Sequence, residues 1–153
     1  MGSYPGSWSQ VACELVGSTG KVAAIDKQEM KLQNCFFIHK SIEEIHESDF
    51  EEISEFIPFD LVLSDMAPNI SGIAAIDLPK HFGLVELAFE FCRQYLCEGG
   101  NFIVKLFQGE GFDEFVRESR KCFVNVKLVK PKASRRMSRE VYMVGTGFKF
   151  EKE

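Results

Sequence analysis

Hydrophobic and polar positions along this chain switch repeatedly between a helical period and short unbroken apolar runs. Between Pro5 and Val16, the residues Trp8, Val11, Ala12 and Leu15 recur at helical spacing, Pro and Ser stand near the start, and Gly17 follows, which predicts a helix. Lys21 to Asp26 reads as a short buried strand ending in a carboxylate, and Asn34 to Ile38 as a second strand followed by an acidic helix and loop. Asp60 to Ser64 is a third strand, whose Leu61, Val62 and Leu63 form the continuous run expected when both faces are covered. Asp77 to Cys97 is the longest predicted helix, with Phe82, Val85, Phe89, Cys92 and Leu96 on one stripe and Gly99-Gly100 as its stop. A strand over Asn101 to Lys105, a helix over Phe112 to Phe123, and strands over Val124 to Val129 and Val141 to Gly145 complete the series.

Alternation of this kind predicts an α/β fold with a mostly parallel sheet. Only Lys130 to Glu140 separates the last two strands, too little for a helical crossover but ample for an antiparallel hairpin. The expected architecture is therefore an open parallel sheet with one antiparallel strand near its edge. The 153 residues contain no internal repeat or linker and fit one domain over 1–153.

Composition narrows the class. Apolar residues make up 45% and charged residues 27%, which excludes disordered and fibrous chains. No apolar run is long enough to span a bilayer, and the N-terminus lacks a basic segment followed by an apolar one, so a cytoplasmic protein without a membrane partner is expected. Cys13, Cys35, Cys92, Cys97 and Cys122 are odd in number and lack C-x-x-C spacing, which points to buried reduced thiols and to no metal site.

The net charge of −5 conceals an asymmetry. Glu43, Glu44, Glu47, Asp49, Glu51, Glu52, Glu55 and Asp60 occur with no intervening Lys or Arg. From Arg117 to Arg139, Arg117, Arg120, Lys121, Lys127, Lys130, Lys132, Arg135, Arg136 and Arg139 face the single acid Glu118. A basic stripe on an acidic protein is either a footprint for a polyanion or a solvated surface.

Ligands of open α/β sheets bind beyond the carboxyl ends of the strands. Asp26, Asp65 and Lys105 stand at those ends, and the hairpin delivers Glu140 to the start of the last strand. Such a set is either a salt-bridged structural cluster or a catalytic one, in which a lysine of depressed pKa acts as general base. The glycine-bearing loop from Gly2 to Gly6 lacks both G-x-G-x-x-G and the Lys-Ser/Thr ending of a phosphate loop, which argues against a nicotinamide-dependent oxidoreductase.

Five motifs are more specific. They are Pro5-Gly6-Ser7-Trp8-Ser9-Gln10; Ser64-Asp65-Met66-Ala67-Pro68-Asn69 with Ser71-Gly72; Val104-Lys105 with Phe107-Gln108-Gly109-Glu110-Gly111-Phe112; Lys130-Pro131 with Ser134-Arg135; and Ser138-Arg139-Glu140-Val141-Tyr142. Together, in this order and over essentially the whole chain, they resemble the FtsJ/RrmJ family of S-adenosylmethionine-dependent ribosomal RNA 2′-O-ribose methyltransferases. The resemblance implies a Rossmann-like methyltransferase sheet that acts on a uridine of large-subunit ribosomal RNA. It implies that Gly6 and Trp8 hold the methionine part of S-adenosyl-L-methionine, that Asp26 takes the ribose hydroxyls, and that Asp65 serves both cofactor and catalysis. Lys105 matches the lysine beside the target hydroxyl, and Glu140 the closing carboxylate of a catalytic tetrad. Lys130, Lys132, Arg135, Arg136 and Arg139 lead into Glu140 and would carry an RNA strand of ribosomal RNA or the large ribosomal subunit toward it.

Two departures from the family pattern carry expectations of their own. The family's adenine-binding aspartate is Ser41 here, whose hydroxyl accepts the same bond more weakly. Family members also carry some fifty further residues before the Gly2 position, with the first, central strand and the tetrad's first lysine. Without them, the strands headed by Lys21 and Asp60 should present unpaired edges that invite self-association. The alternative function is a non-catalytic RNA- or ribosome-binding module on the same fold.

Overall fold

The computed structural model describes residues 1–132 and 137–150, and the chain divides into two compact units, Met1–Ile57 and Pro58–Glu153. Arg135 and Arg136 lie outside the described residues.

The first unit holds α1 (Ser7–Val16), β1 (Ala23–Asp26) and β2 (Phe36–His39). The two strands run parallel, from Ala23 opposite Phe36 to Asp26 opposite His39. Ala24, Ile25, Ile38, Phe50 and Ile53 form its core. The acidic stretch, read as a helix and loop, makes 3-10 helix over Ile42–Glu44 and Glu47–Phe56, interrupted at Ile53. An α-helix would stack Glu43, Glu47, Glu51 and Glu55 four residues apart, a repulsive arrangement. Three-residue periodicity instead aligns Phe50 with Ile53, and both are buried.

The apolar stripe of α1 also departs from expectation. Ser9 is its buried residue, whereas Val11 and Leu15 are 53% and 82% exposed. Helical spacing located the element but not its buried side.

The second unit holds β3 (Phe59–Ser64), α2 (Ala74–Tyr95), β4 (Leu96–Phe107), α3 (Phe112–Cys122), β5 (Phe123–Val129) and β6 (Glu140–Phe148). Its sheet has the order β3-β4-β6-β5; β3 and β4 are parallel, and β6 is antiparallel to both neighbours. The hairpin therefore folds as expected, with β6 lying just inside the edge strand β5. Phe89 of α2 meets Phe102 of β4, Phe115 of α3 and Phe123 of β5 at centroid distances of 6.1, 5.5 and 6.4 Å, so one aromatic cluster joins two helices to two strands.

Several boundaries are corrected: β4 runs on past Lys105 to Phe107, α2 begins at Ala74 and β6 extends to Phe148. Leu96 and Cys97 are strand residues: α2 ends at Tyr95, and the fully buried Leu96 pairs with Phe59. A register shift between Phe59 and Leu61 then absorbs the four residues before Asn101, including Gly99 at φ 79°. Phe123 likewise opens β5 and does not close α3.

Among the described residues, β1 pairs only with β2 and β3 only with β4. Ser3 covers part of the β1 edge. Its Oγ accepts the Ile25 N–H at 3.1 Å, and its N–H and Oγ–H reach the Ile25 carbonyl at 3.4 and 3.1 Å.

All five cysteines are free; Cys92 and Cys122 are buried, whereas Cys13, Cys35 and Cys97 are only half-buried, short of the full burial expected. Among the described residues no helix is long and apolar enough to cross a membrane.

Candidate active site

The second unit builds its site where β4 outruns β3. Pairing between them ends at Ser64 opposite Val104, so Lys105, Leu106 and Phe107 continue alone on that side. Asp65, the first residue beyond β3, turns back toward this overhang. The Lys105 ammonium donates to the Asp65 carbonyl oxygen at 3.2 Å and lies 3.5 Å from Asp65 Oδ1. Lys105 is 9% exposed, which sets its charge in a weakly screened environment.

Tyr142 stands opposite Lys105 on β6, and its hydroxyl donates to Asp65 Oδ1 at 2.8 Å. Burial first, then the hydrogen bond and charge of Asp65 and the charge of Glu140, push the Tyr142 phenol above its ordinary value. It therefore remains a donor throughout the physiological range. One carboxylate oxygen thus orients two groups.

Glu140 is opposite Phe107, two residues from Tyr142, and strand alternation puts Lys105, Phe107, Glu140 and Tyr142 on one face. The Glu140 backbone is held firmly. Its N–H donates to Ser138 Oγ at 3.2 Å, its carbonyl accepts from Lys130 Nζ at 3.1 Å, and the adjacent Arg139 carbonyl accepts the Gln108 N–H at 2.9 Å. Lys130 Nζ also donates to the Ser138 carbonyl. Lys132 and Arg139 are exposed on the same connection.

The loop after Asp65 is fixed by a residue that sequence reasoning missed. The buried Asp77 carboxylate accepts the Ser71 N–H (2.9 Å), the Ser71 hydroxyl (2.7 Å) and the Gly72 N–H (3.0 Å). Those bonds, the Ser71 N–H foremost, hold it below the usual carboxylate range. Past β4, Gly109 has φ 145° and a Cβ there would come within 2.7 Å of Leu78, so the turn into α3 requires glycine. Tyr142 was within a recognised motif but had been given no role; its spacing of two from Glu140 on a strand is the signal that places both on one face.

In the first unit, Gly6 begins α1 at φ 116°, and a Cβ would come within 2.8 Å of Leu32. Trp8 is 38% exposed in the first turn. At the tip of β1, Asp26 accepts the Tyr4 N–H on Oδ2 and the Gln28 N–H on Oδ1, both at 2.8 Å, which leaves lone pairs on both oxygens for further donors. Ser41 is half-buried, and its N–H donates to Glu44 Oε2 at 3.4 Å.

The sheet, with β6 antiparallel just inside its edge and a lysine–carboxylate pair beyond the end of β3, has the form of a Rossmann-like methyltransferase sheet. A family model for FtsJ-like methyltransferases matches residues 1–148, and the chain belongs to that family. It is 47% identical over 149 residues to the ribosomal RNA large subunit methyltransferase E of Stenotrophomonas maltophilia, covering 96% of this chain and 71% of the relative. A crystal structure of a chain assigned as a ribosomal RNA methyltransferase from Plasmodium falciparum superposes with a TM-score of 0.85 at 30% identity, covering 96% of this chain and 83% of that one. A structure assigned as an rRNA methylase from Clostridium thermocellum shares the fold at 15% identity and a TM-score of 0.57, covering 94% and 83%.

Proposed function

We propose that this protein transfers a methyl group from S-adenosylmethionine to a ribose 2′-hydroxyl of large-subunit ribosomal RNA, at a uridine, and that residues 1–153 serve as one methyltransferase domain. The observation that carries this reading is the nearly buried Lys105 amine, aimed by Asp65 at the open end of β4.

The donor set suits the cofactor. Asp26 offers acceptor lone pairs for a ribose diol, Gly6 lets the chain enter α1 at a positive φ, and Ser41 offers one hydroxyl where the family has a carboxylate. S-adenosylmethionine, when bound, supplies an electrophilic methyl on a sulfonium that leaves as a neutral thioether.

A ribose hydroxyl is a poor nucleophile until its proton is taken. Lys105, in its amine form, accepts that proton as the hydroxyl oxygen forms its bond to the methyl carbon. Asp65 fixes the direction of the amine and counters the ammonium formed. Tyr142 holds Asp65 in that geometry, and Glu140 places a second carboxylate on the same face. Lys132, Arg139, and Arg135 and Arg136, which lie outside the described residues, supply phosphate contacts that bring RNA along the hairpin. The retained Lys105–Asp65 pair favours this reading over a non-catalytic RNA-binding module.

The test is incubation with methyl-tritiated S-adenosylmethionine and either protein-free large-subunit RNA or intact large subunits. Label that survives in an alkali-resistant dinucleotide marks a 2′-O-methyl group and is the expected result. Label on a base, or none on either substrate, would contradict the proposal.

A further inference from the structure

His81 is fully buried in α2 and takes no part in the chemistry just described. Its ring stacks on Phe107 at 4.0 Å and 21°, and its Nε2 accepts the Phe107 N–H at 3.2 Å. The location of that bond is informative. β3 pairs with β4 only as far as Val104, and the next amide, Gln108 N–H, donates to Arg139 on the β6 side. The Phe107 N–H therefore points to the side that β3 has vacated, where a buried donor needs an acceptor. His81 supplies it from the helix.

Because Nε2 accepts, the neutral ring carries its proton on Nδ1. Nδ1 has no hydrogen-bond partner among the described residues. Phenylalanine or leucine could fill the same space without that unpaired donor, so packing does not account for an imidazole here. The acceptor on Nε2 does. Burial, and after it the Lys105 ammonium, outweigh a weaker hydrogen-bonding pull from the Lys105 backbone that favours the imidazolium and hold it down to about 4, so the ring stays neutral near pH 7 and remains able to accept. Lys105 is the charged side chain that acts on His81 from β4; Phe82 and Phe107 are its aromatic neighbours.

We propose that His81 is a positioning residue for Lys105: it replaces the missing ladder partner at Phe107, and so holds the overhanging end of β4 in the conformation that keeps the Lys105 amine against Asp65. This inference rests on the proposed methyl transfer for its kinetic consequence, but not for its geometry. Lys105 and Phe107 are two residues apart on one face, so rotation of the Phe107 peptide is passed directly to the amine, and misplacement of about 1 Å can cost roughly a hundredfold in rate.

Three measurements test it. In the unmodified protein, the 15N spectrum of His81 at pH 7 should show a bare, hydrogen-bonded Nε2 and a protonated Nδ1, and the Phe107 amide should exchange slowly. A protonated Nε2, or a Phe107 amide that exchanges as fast as an exposed one, would overturn the inference whether or not the protein is active and whether or not variants fold. His81→Leu should raise Phe107 exchange about tenfold or more, lower kcat about tenfold, and leave KM for S-adenosylmethionine within twofold. His81→Gln, whose amide oxygen restores an acceptor, should recover kcat to within about threefold of the parent. Equal losses in both variants, or parental kcat in His81→Leu, would assign His81 to packing alone. An inactive parent whose Nε2 and Phe107 behave as described would contradict the proposed function and leave the positioning role standing.

Discussion

Lys105 and Asp65 meet around the end of a strand, not along a ladder: the ammonium bonds to the Asp65 carbonyl at 3.2 Å and lies 3.5 Å from its carboxylate, just where β3 stops and β4 continues. Two parallel strands of unequal length thus leave one charged pair anchored by backbone just past the shorter strand.

Tyr142→Phe should separate the orienting role of Asp65 from its charge. The lost hydroxyl donated to Asp65 Oδ1 at 2.8 Å, a bond to a charged acceptor contributing about 1.5–3 kcal/mol. Methyl transfer should fall about tenfold or more in kcat while cofactor affinity by calorimetry stays within a few-fold. A parental kcat would mean that Lys105 alone orients Asp65.

Lys132 and Arg139 should respond to replacement differently from Lys130. Lys132 and Arg139 are exposed, and their joint replacement by Ala should weaken RNA binding for all sequences and reduce the slope of log affinity against log salt by about 1.4 for single-stranded RNA. Lys130 is engaged with the Ser138 and Glu140 carbonyls. Lys130→Ala should therefore lower kcat more than it changes the salt slope. Filter binding across a salt series, beside single-turnover rates, distinguishes the two.

Acid should weaken the fold in a window set by His81. Its folded value of about 4 lies below the ordinary 6.5, so its contribution is complete above pH 6.5 and is lost as pH falls toward 4. Urea unfolding between pH 7.5 and 4.5 should show a loss of the order of 3 kcal/mol that His81→Gln flattens. Asp77, Asp49 and Glu118, all held low by hydrogen bonds, lose their contributions chiefly below the pH 4.5 end of that series.

Gly83, inside α2, has nothing within 4 Å of a built Cβ and an ordinary helical backbone. Gly83→Ala should stabilise the protein by about 0.4–1 kcal/mol through the unfolded chain, read as a higher urea midpoint at unchanged slope.

Periodicity and strand-tip chemistry made much of this legible. The stripe Phe82, Val85, Phe89 and Cys92 is buried as read, and Asp65 and Lys105 meet just beyond the end of β3, although β4 runs two residues past Lys105. What was not legible depended on neighbours distant in sequence. Leu96 continues the helical stripe in sequence yet belongs to β4, because Phe59 pairs with it. The stripe of α1 predicts a buried face that Val11 and Leu15 do not have. His81 sits among apolar residues with no motif around it, and only the unequal reach of β3 and β4 gives its Nε2 a task. Asp77 looks in sequence like a helix-entry acid, and its loop partners Ser71 and Gly72 emerge only in three dimensions.

The central claim is that Lys105 takes the proton from the ribose hydroxyl, and single-turnover methyl transfer by Lys105→Ala tests it most directly, with S-adenosylmethionine affinity measured by calorimetry on the same preparations. The expected rate is lower by about 10²–10⁴, with cofactor affinity within a few-fold of the parent. A near-parental rate in Lys105→Ala would contradict it.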